Sequence, residues 1–190
     1  MVLNSILAAP LILLTLVGSL NYKVDNNQSK MKILGDSNAH EWEEFVNELD
    51  GKAVINAESK ESFSIESLSF RAKVESIEST KGKIMDGKTY DALKMEEHPY
   101  ITFKLDKVVK SSPVDQGVWL NTKGYLNIAG VEKYVDMDVK AIFSNSKSIR
   151  FEGTKTFNMS EFGISPPTAM MGSMKVKDEV TIKFNIIYTN

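Results

Sequence analysis

GVWLNTKGYLNIAGVEKYVDMDVKA, residues 117–141, alternates apolar and polar side chains on both sides of one turn signal. Val118, Leu120, Leu126 and Ile128 share a side, opposite Trp119, Asn121, Lys123, Tyr125 and Asn127. Beyond Ala129-Gly130, Val135, Met137, Val139 and Ala141 alternate with Tyr134, Asp136, Asp138 and Lys140. A period of two marks half-buried strands, because successive side chains of an extended chain point to opposite faces. Gly130 suits a tight reversal. The stretch therefore predicts a β-hairpin with one apolar and one wet face.

The same pattern extends in both directions. Ile101, Phe103 and Leu105 alternate with Tyr100, Thr102, Lys104 and Asp106. Ile149, Phe151, Phe157 and Met159 oppose Arg150, Glu152, Thr154, Thr156 and Asn158. Val180, Ile182, Phe184, Ile186 and Tyr188 oppose Thr181, Lys183, Asn185 and Thr189. Leu68, Phe70, Ala72 and Val74 oppose Ser69, Arg71, Lys73 and Glu75, with further candidates around Met31-Ile33 and Ala53-Ile55. Among the apolar-face positions of the clear strands, Lys155 is the one charge. One-sided strands belong to antiparallel sheets. Asp50-Gly51, Gly130 and Ser144-Asn145-Ser146 read as turns between them. The expected fold is all-β, a meander of about eight strands closing into an antiparallel β-barrel, since closure removes exposed edges. One short helix is expected, capped by Asp86, apolar at Tyr90, Leu93 and Met95, and stopped by His98-Pro99. It reads as a plug on one barrel end. Asn21 to Lys30 reads as a linker in which Tyr22 and Val24 already suit a first strand.

With 190 residues the chain has enough length for one well-buried core. A net charge of −2 and the lack of a long Lys/Arg run argue against nucleic acid as a partner. The absence of cysteine excludes a disulfide framework, a thiolate nucleophile and a Cys-ligated zinc site. Residues 6–20, ILAAPLILLTLVGSL, are apolar almost throughout, short for a bilayer span of ~20 residues but suited to a secretory signal. Val17, Gly18 and Ser19 offer a cleavage site. No basic residue precedes the run, the first being Lys23. Two segments are thus expected, a signal peptide over 1–20 and a barrel domain over 21–190, in a periplasmic or secreted protein. An uncleaved membrane anchor is the competing reading.

The chemistry of catalysis is hard to find. His40 and His98 lie far apart, and no HxH or HExxH spacing links them. His98 reads as a turn residue and His40 as a strand-end residue. Glu43-Glu44, Glu96-Glu97 and Asp178-Glu179 are adjacent acids, which on a strand face opposite ways, and read as solvated charges. There is no GxSxG elbow and no phosphate loop. No catalytic residue and no metal ligand is assigned. Phe70, Phe103, Phe151, Phe157 and Phe184 fall on inward registers beside Met137 and Met159. Periodicity alone leaves open whether such a barrel is filled or keeps room for a ligand.

Three stretches resemble the YceI-like family of bacterial exported proteins. Met85-Asp86-Gly87-Lys88 through Ala92-Leu93-Lys94 to His98-Pro99-Tyr100-Ile101-Thr102-Phe103 is similar to the family's short helix leading into a P-x-I-x-F strand. Gly124 to Lys133 resembles its G-x-L-x-I-x-G-V-x-K hairpin. Phe157 to Ile164, with Pro166, Pro167, Gly172 and Val176 to Val180, resembles its F-G-I segment and last strand. Order and spacing agree over residues 85–187. His40-Glu41-Trp42 is similar to a family variant with His-x-Trp in an early strand, whereas Gln28 to Ile33 departs from the usual H-S-x-V-x-F opening. The resemblance implies a lipocalin-like barrel holding a polyisoprenoid or quinone-type lipid in an apolar tunnel, with no other cofactor. Its walls would be Phe70, Phe103, Leu126, Ile128, Met137, Phe151, Phe157, Met159 and Phe184. Phe162, Met170 and Met171, about the Pro-containing loop Ser165 to Met174, would form a lip. An amphiphilic lipid is then the partner, with transient contact to a membrane or membrane protein, and a homodimer, left open. The rival reading is a filled barrel acting as an interaction or stress-response module through outward Trp119 and Tyr125.

Overall fold

The computed structural model describes residues 18–57, 59–145 and 147–190. In chain order these form β1 (Leu20–Val24), β2 (Lys30–Ser37), β3 (Trp42–Val46), β4 (Leu49–Asn56), β5 (Ser64–Lys73), β6 (Ile77–Ser79), α1 (Lys83–Ala92), β7 (Tyr100–Val114), β8 (Gly117–Ile128), β9 (Val131–Asn145), β10 (Ser148–Asn158), β11 (Thr168–Ala169) and β12 (Met174–Thr189). Antiparallel ladders run β1-β4-β5-β7-β8-β9-β10-β12 and return from β12 to β1, closing an eight-stranded barrel. The expected all-β antiparallel barrel with one helix is what forms. The expected signal peptide falls on residues that lie, up to Val17, outside the described ones.

Twelve strands and eight are the same meander counted differently. β1 and β2 both pair with β12, so they are one long strand interrupted at Asp25–Ser29. β3 continues into β4, and β5 into β6, each broken near the same level. Backbone groups at the breaks find substitutes, as buried groups must. The Ile187 N–H donates to the Ser29 hydroxyl (3.0 Å), and the Glu48 N–H to the Ser76 hydroxyl (2.9 Å). Above the breaks, β12, β2, β3 and β6 form a wall that stops at β6. No ladder joins β6 to β7 among the described residues, and α1, in the connection between them, packs beside β6.

Two local expectations are corrected. Asp50-Gly51 is not a turn but the middle of β4. Asp50 points out to Arg71 (2.7 Å), while Gly51 faces in, where a Cβ would fall 2.7 Å from the Tyr188 hydroxyl. Helix α1 begins at Lys83 after Gly82, not at an Asp86 cap. Asp86 instead accepts the Ser79 N–H (2.7 Å), tying the helix to the end of β6. The β8–β9 reversal is as expected, with Ala129 and Gly130 both at positive φ (51° and 83°). β9 ends at Asn145 and β10 starts at Ser148, so that reversal also falls where expected, Ser146 lying outside the described residues.

The lower half of the barrel is solid. Ile55, Val118 and Ala141 are wholly buried, Ile149 nearly so, and Phe63 from the β4–β5 loop meets Phe143 at 5.3 Å. Tyr188 spans the interior above this plug. Its ring stands edge-on to Phe151 (5.6 Å), and its hydroxyl crosses from β12 to donate to the Ser69 carbonyl on β5 (3.0 Å). Burial, with a smaller contribution from Asp50, pushes the Tyr188 phenol far up, so it stays a donor.

Candidate functional site

Above the Tyr188–Phe151 floor the barrel is hollow. The cavity has a volume of about 230 Å³. On a scale where one water takes ~10–15 Å³, that is far more space than a single buried water needs. Phe70, Phe103, Leu126, Ile128, Met137, Phe151, Phe157, Met159 and Phe184 all line it. Ala141, also on the inward register, does not: it lies in the solid floor.

What keeps the upper barrel open is a set of glycines on the inward face. Gly35, Gly124 and Gly153 occupy positions whose side chains would enter the lumen. Against them lie the rings of Trp42, Phe103 and Phe184; a Cβ on Gly124 would sit 2.6 Å from Phe103 Cζ, and Cβ atoms on Gly35 and Gly153 would collide with Trp42 and Phe184. Each ring is therefore laid along the wall over a neighbouring strand's bare backbone. Rings that would otherwise project into the lumen become its lining. Glycine inside a strand commonly marks such a close approach.

The upper end is built by α1, the β2–β3 turn and the segment before β12. From α1, Met85, Lys88, Thr89 and Ala92 face the cavity. The helix thus covers the gap between β6 and β7 at the upper wall, where a plug on one barrel end was expected. Tyr90 anchors it, donating to the carbonyls of Glu75 and Ile77 (2.8 and 2.9 Å). Lys88 reaches over the mouth to the Thr168 carbonyl (2.8 Å). The residues expected as a lip are placed differently. Phe162 is buried beneath the wall, edge-on to Phe157 (5.0 Å), because its 3-10 turn tucks it into the core. Met171 points wholly to solvent, and the side chain of Met170 lies outside the described atoms. Ile164, Pro167, Met174 and Val176 supply that part of the wall instead. His98 packs its ring on Gly130 at the hairpin, a turn role as expected, while His40 lines the mouth.

The acid pairs are not all solvated. β3 keeps the alternation of Trp42, Glu44 and Val46 inward with Glu43 and Phe45 outward. Glu43 pairs with Lys32 at the surface (2.9 Å), but Glu44 is 5% exposed and lines the cavity. Its Oε1 accepts the Thr89 hydroxyl of α1 (2.6 Å). Burial raises the Glu44 carboxyl above its ordinary range; the Thr89 bond opposes the shift and Asp86 adds to it. Buried Thr122 donates to the Met137 carbonyl (2.8 Å), and half-buried Lys155 to that of Asp136 (2.9 Å). Among the described residues no group of three metal-ligating side chains occurs.

This architecture has relatives. The sequence matches the YceI-like domain over residues 22–188. The structure of Burkholderia cenocepacia BcnA superposes with a TM-score of 0.69 at 20% identity, covering 86% of this chain and 98% of that one. A polyisoprenoid binding domain from Saccharophagus degradans, implicated in plant cell wall breakdown, also gives 0.69, at 13% identity over 88% and 97%. A Campylobacter jejuni YceI protein gives 0.55 at 21% identity over 74% and 81%. No curated protein matches the chain in sequence.

Proposed function

The chain belongs to the YceI-like family, and from that premise we propose that it is a binding protein that carries a long apolar lipid, a polyisoprenoid or isoprenoid quinone, through an aqueous compartment. The observation that supports this is the blind apolar cavity over a solid floor: the upper barrel is not filled, although the lower barrel is. A lipid's alternative home is a bilayer. Burying ~20 methylenes is worth on the order of 15 kcal/mol relative to water, but close to nothing relative to membrane. Apolar burial alone therefore makes a carrier rather than a sink. Native mass spectrometry of the protein purified from its own cells, without detergent, is expected to show a lipid adduct released on denaturation. Protein that is free of adduct, and that takes up no lipid from vesicles, would be the finding against it.

The carrier reading includes export to the periplasm or beyond, supported by the apolar run over residues 6–20. The fold limits where a signal is cut. Leu20 opens β1, and Tyr22 is 2% exposed in the core. N-terminal sequencing of the exported protein is expected to find a start at or before Leu20, at least one residue ahead of the boundary expected after residue 20, which leaves β1 whole. An intact Met1 on cytoplasmic protein would contradict export.

A further inference from the structure

We infer that Glu44 and Thr89 form the head-group site of the cavity, and that the head group they take is an uncharged carbonyl on a long apolar chain. The inference rests on the lipid-binding reading above and adds to it the chemistry of the ligand's polar end.

A carboxyl does not belong in an apolar wall unless something meets it. Glu44 is held by β3 on its inward register and by one hydrogen bond from α1 to Oε1. Among the described residues no donor reaches Oε2. Glu44 is itself one of the residues that line the cavity. The remaining hydrogen-bonding capacity of Glu44 is therefore offered to whatever occupies that space.

The surrounding charges decide which ligand suits it. Asp86 on the same helix repels a carboxylate at Glu44. On the cavity side stand Lys81 before α1, Lys88 on α1, His40 before β3 and Lys155 on β10, which is bound to the Asp136 carbonyl; among the described residues none of them pairs with Glu44. Lys88 is committed to Thr168. On the outer faces, Lys32 and Lys177 are occupied by Glu43 and Asp36, and Glu78 by Asn47. Among the described residues Glu44 thus has no cationic partner, and burial favours its neutral form. A chain lying in the cavity strips away what water remains and favours that form further. A neutral carboxyl held through one oxygen presents an O–H donor, and a carbonyl oxygen is its complement. A phosphate would bring negative charge toward Glu44 and Asp86; a bare hydrocarbon would leave the donor unmet.

Three probes with terpenoid chains of similar length separate these cases: the ketone geranylgeranylacetone, the hydrocarbon phytane and geranylgeranyl diphosphate. Trp42, in the cavity wall, reports their uptake by fluorescence. At low pH the full chain is expected to bind the ketone about tenfold more tightly than phytane, the scale of one buried hydrogen bond, and more tightly than the diphosphate. That advantage should fade as pH rises through the Glu44 pKa, because the protonated form is the donor. Glu44→Gln, whose amide still donates, should keep the advantage and lose the pH dependence. Glu44→Leu should lose the advantage while binding phytane at least as well, which shows that it remains folded. A ketone advantage surviving in Glu44→Leu, one lost in Glu44→Gln, or a preference for the diphosphate overturns the assignment. Failure of the wild type to take up any probe would overturn the binding reading, and this assignment with it.

Discussion

Ala141→Phe is expected to destabilise the protein by about 1–3 kcal/mol, the usual cost of overpacking, and to lower Tm by roughly 2–12 °C at this chain length. Ala141 is fully buried, and its strand neighbours in register are Val118 and Phe151. Its carbonyl also touches the bare Cα of Gly117, so the backbone has no room to retreat. The added ring must displace the floor. Ile128→Trp is the contrasting case, since Ile128 lines the hollow half and its enlarged side chain has space to enter. There Tm should change little and lipid uptake should fall at least tenfold. Thermal denaturation and uptake from labelled vesicles measure both quantities on both variants. A tolerated Ala141→Phe that abolishes uptake would show a tunnel running through the floor.

The hairpin over 117–141 was legible because nothing interrupts it: Gly117 to Ile128 pairs with Ile142 to Val131 without a shift. Neighbouring β7 was legible only to Leu105, because register shifts at Leu105/Lys107 and Val108/Lys110 break the period. The upper wall was harder. β3 and β6 have five and three residues, too short to show a period by themselves, and they carry Glu43, Glu44 and Glu78. Glu44 read as solvated because adjacent acids usually are. Its burial is a tertiary fact, produced by the way α1 brings Thr89 over β3. A local signal did exist, since His40, Trp42, Glu44 and Val46 continue one alternation. Gly51 was misread as half of a turn for a related reason: the residue type fits a reversal, whereas the requirement it meets is space for a tyrosine from another strand.

Gly35, Gly124 and Gly153 set the volume of the cavity, because each leaves room for a neighbouring strand's ring to lie along the wall. Gly153→Val is therefore expected to reduce lipid uptake at least tenfold although none of the aromatic wall residues is itself replaced. Gly153 and Phe184 are directly opposed across β10 and β12, and a side chain at 153 would occupy the space of the Phe184 ring. The ring has one free direction, into the lumen, where it takes volume from the ligand. Because that space is empty in the unliganded protein, the loss of stability should be modest, and valine's preference for strands partly offsets it. The second substitution identifies the cause. Adding Phe184→Ala to Gly153→Val removes the displaced ring and should restore uptake, although Phe184→Ala alone deletes part of the wall. Such a rescue is a coupling between touching residues that independent effects cannot produce. If the double variant is no better than Gly153→Val alone, the glycine acts through the backbone of β10, and the ring-on-glycine account of the open cavity is wrong.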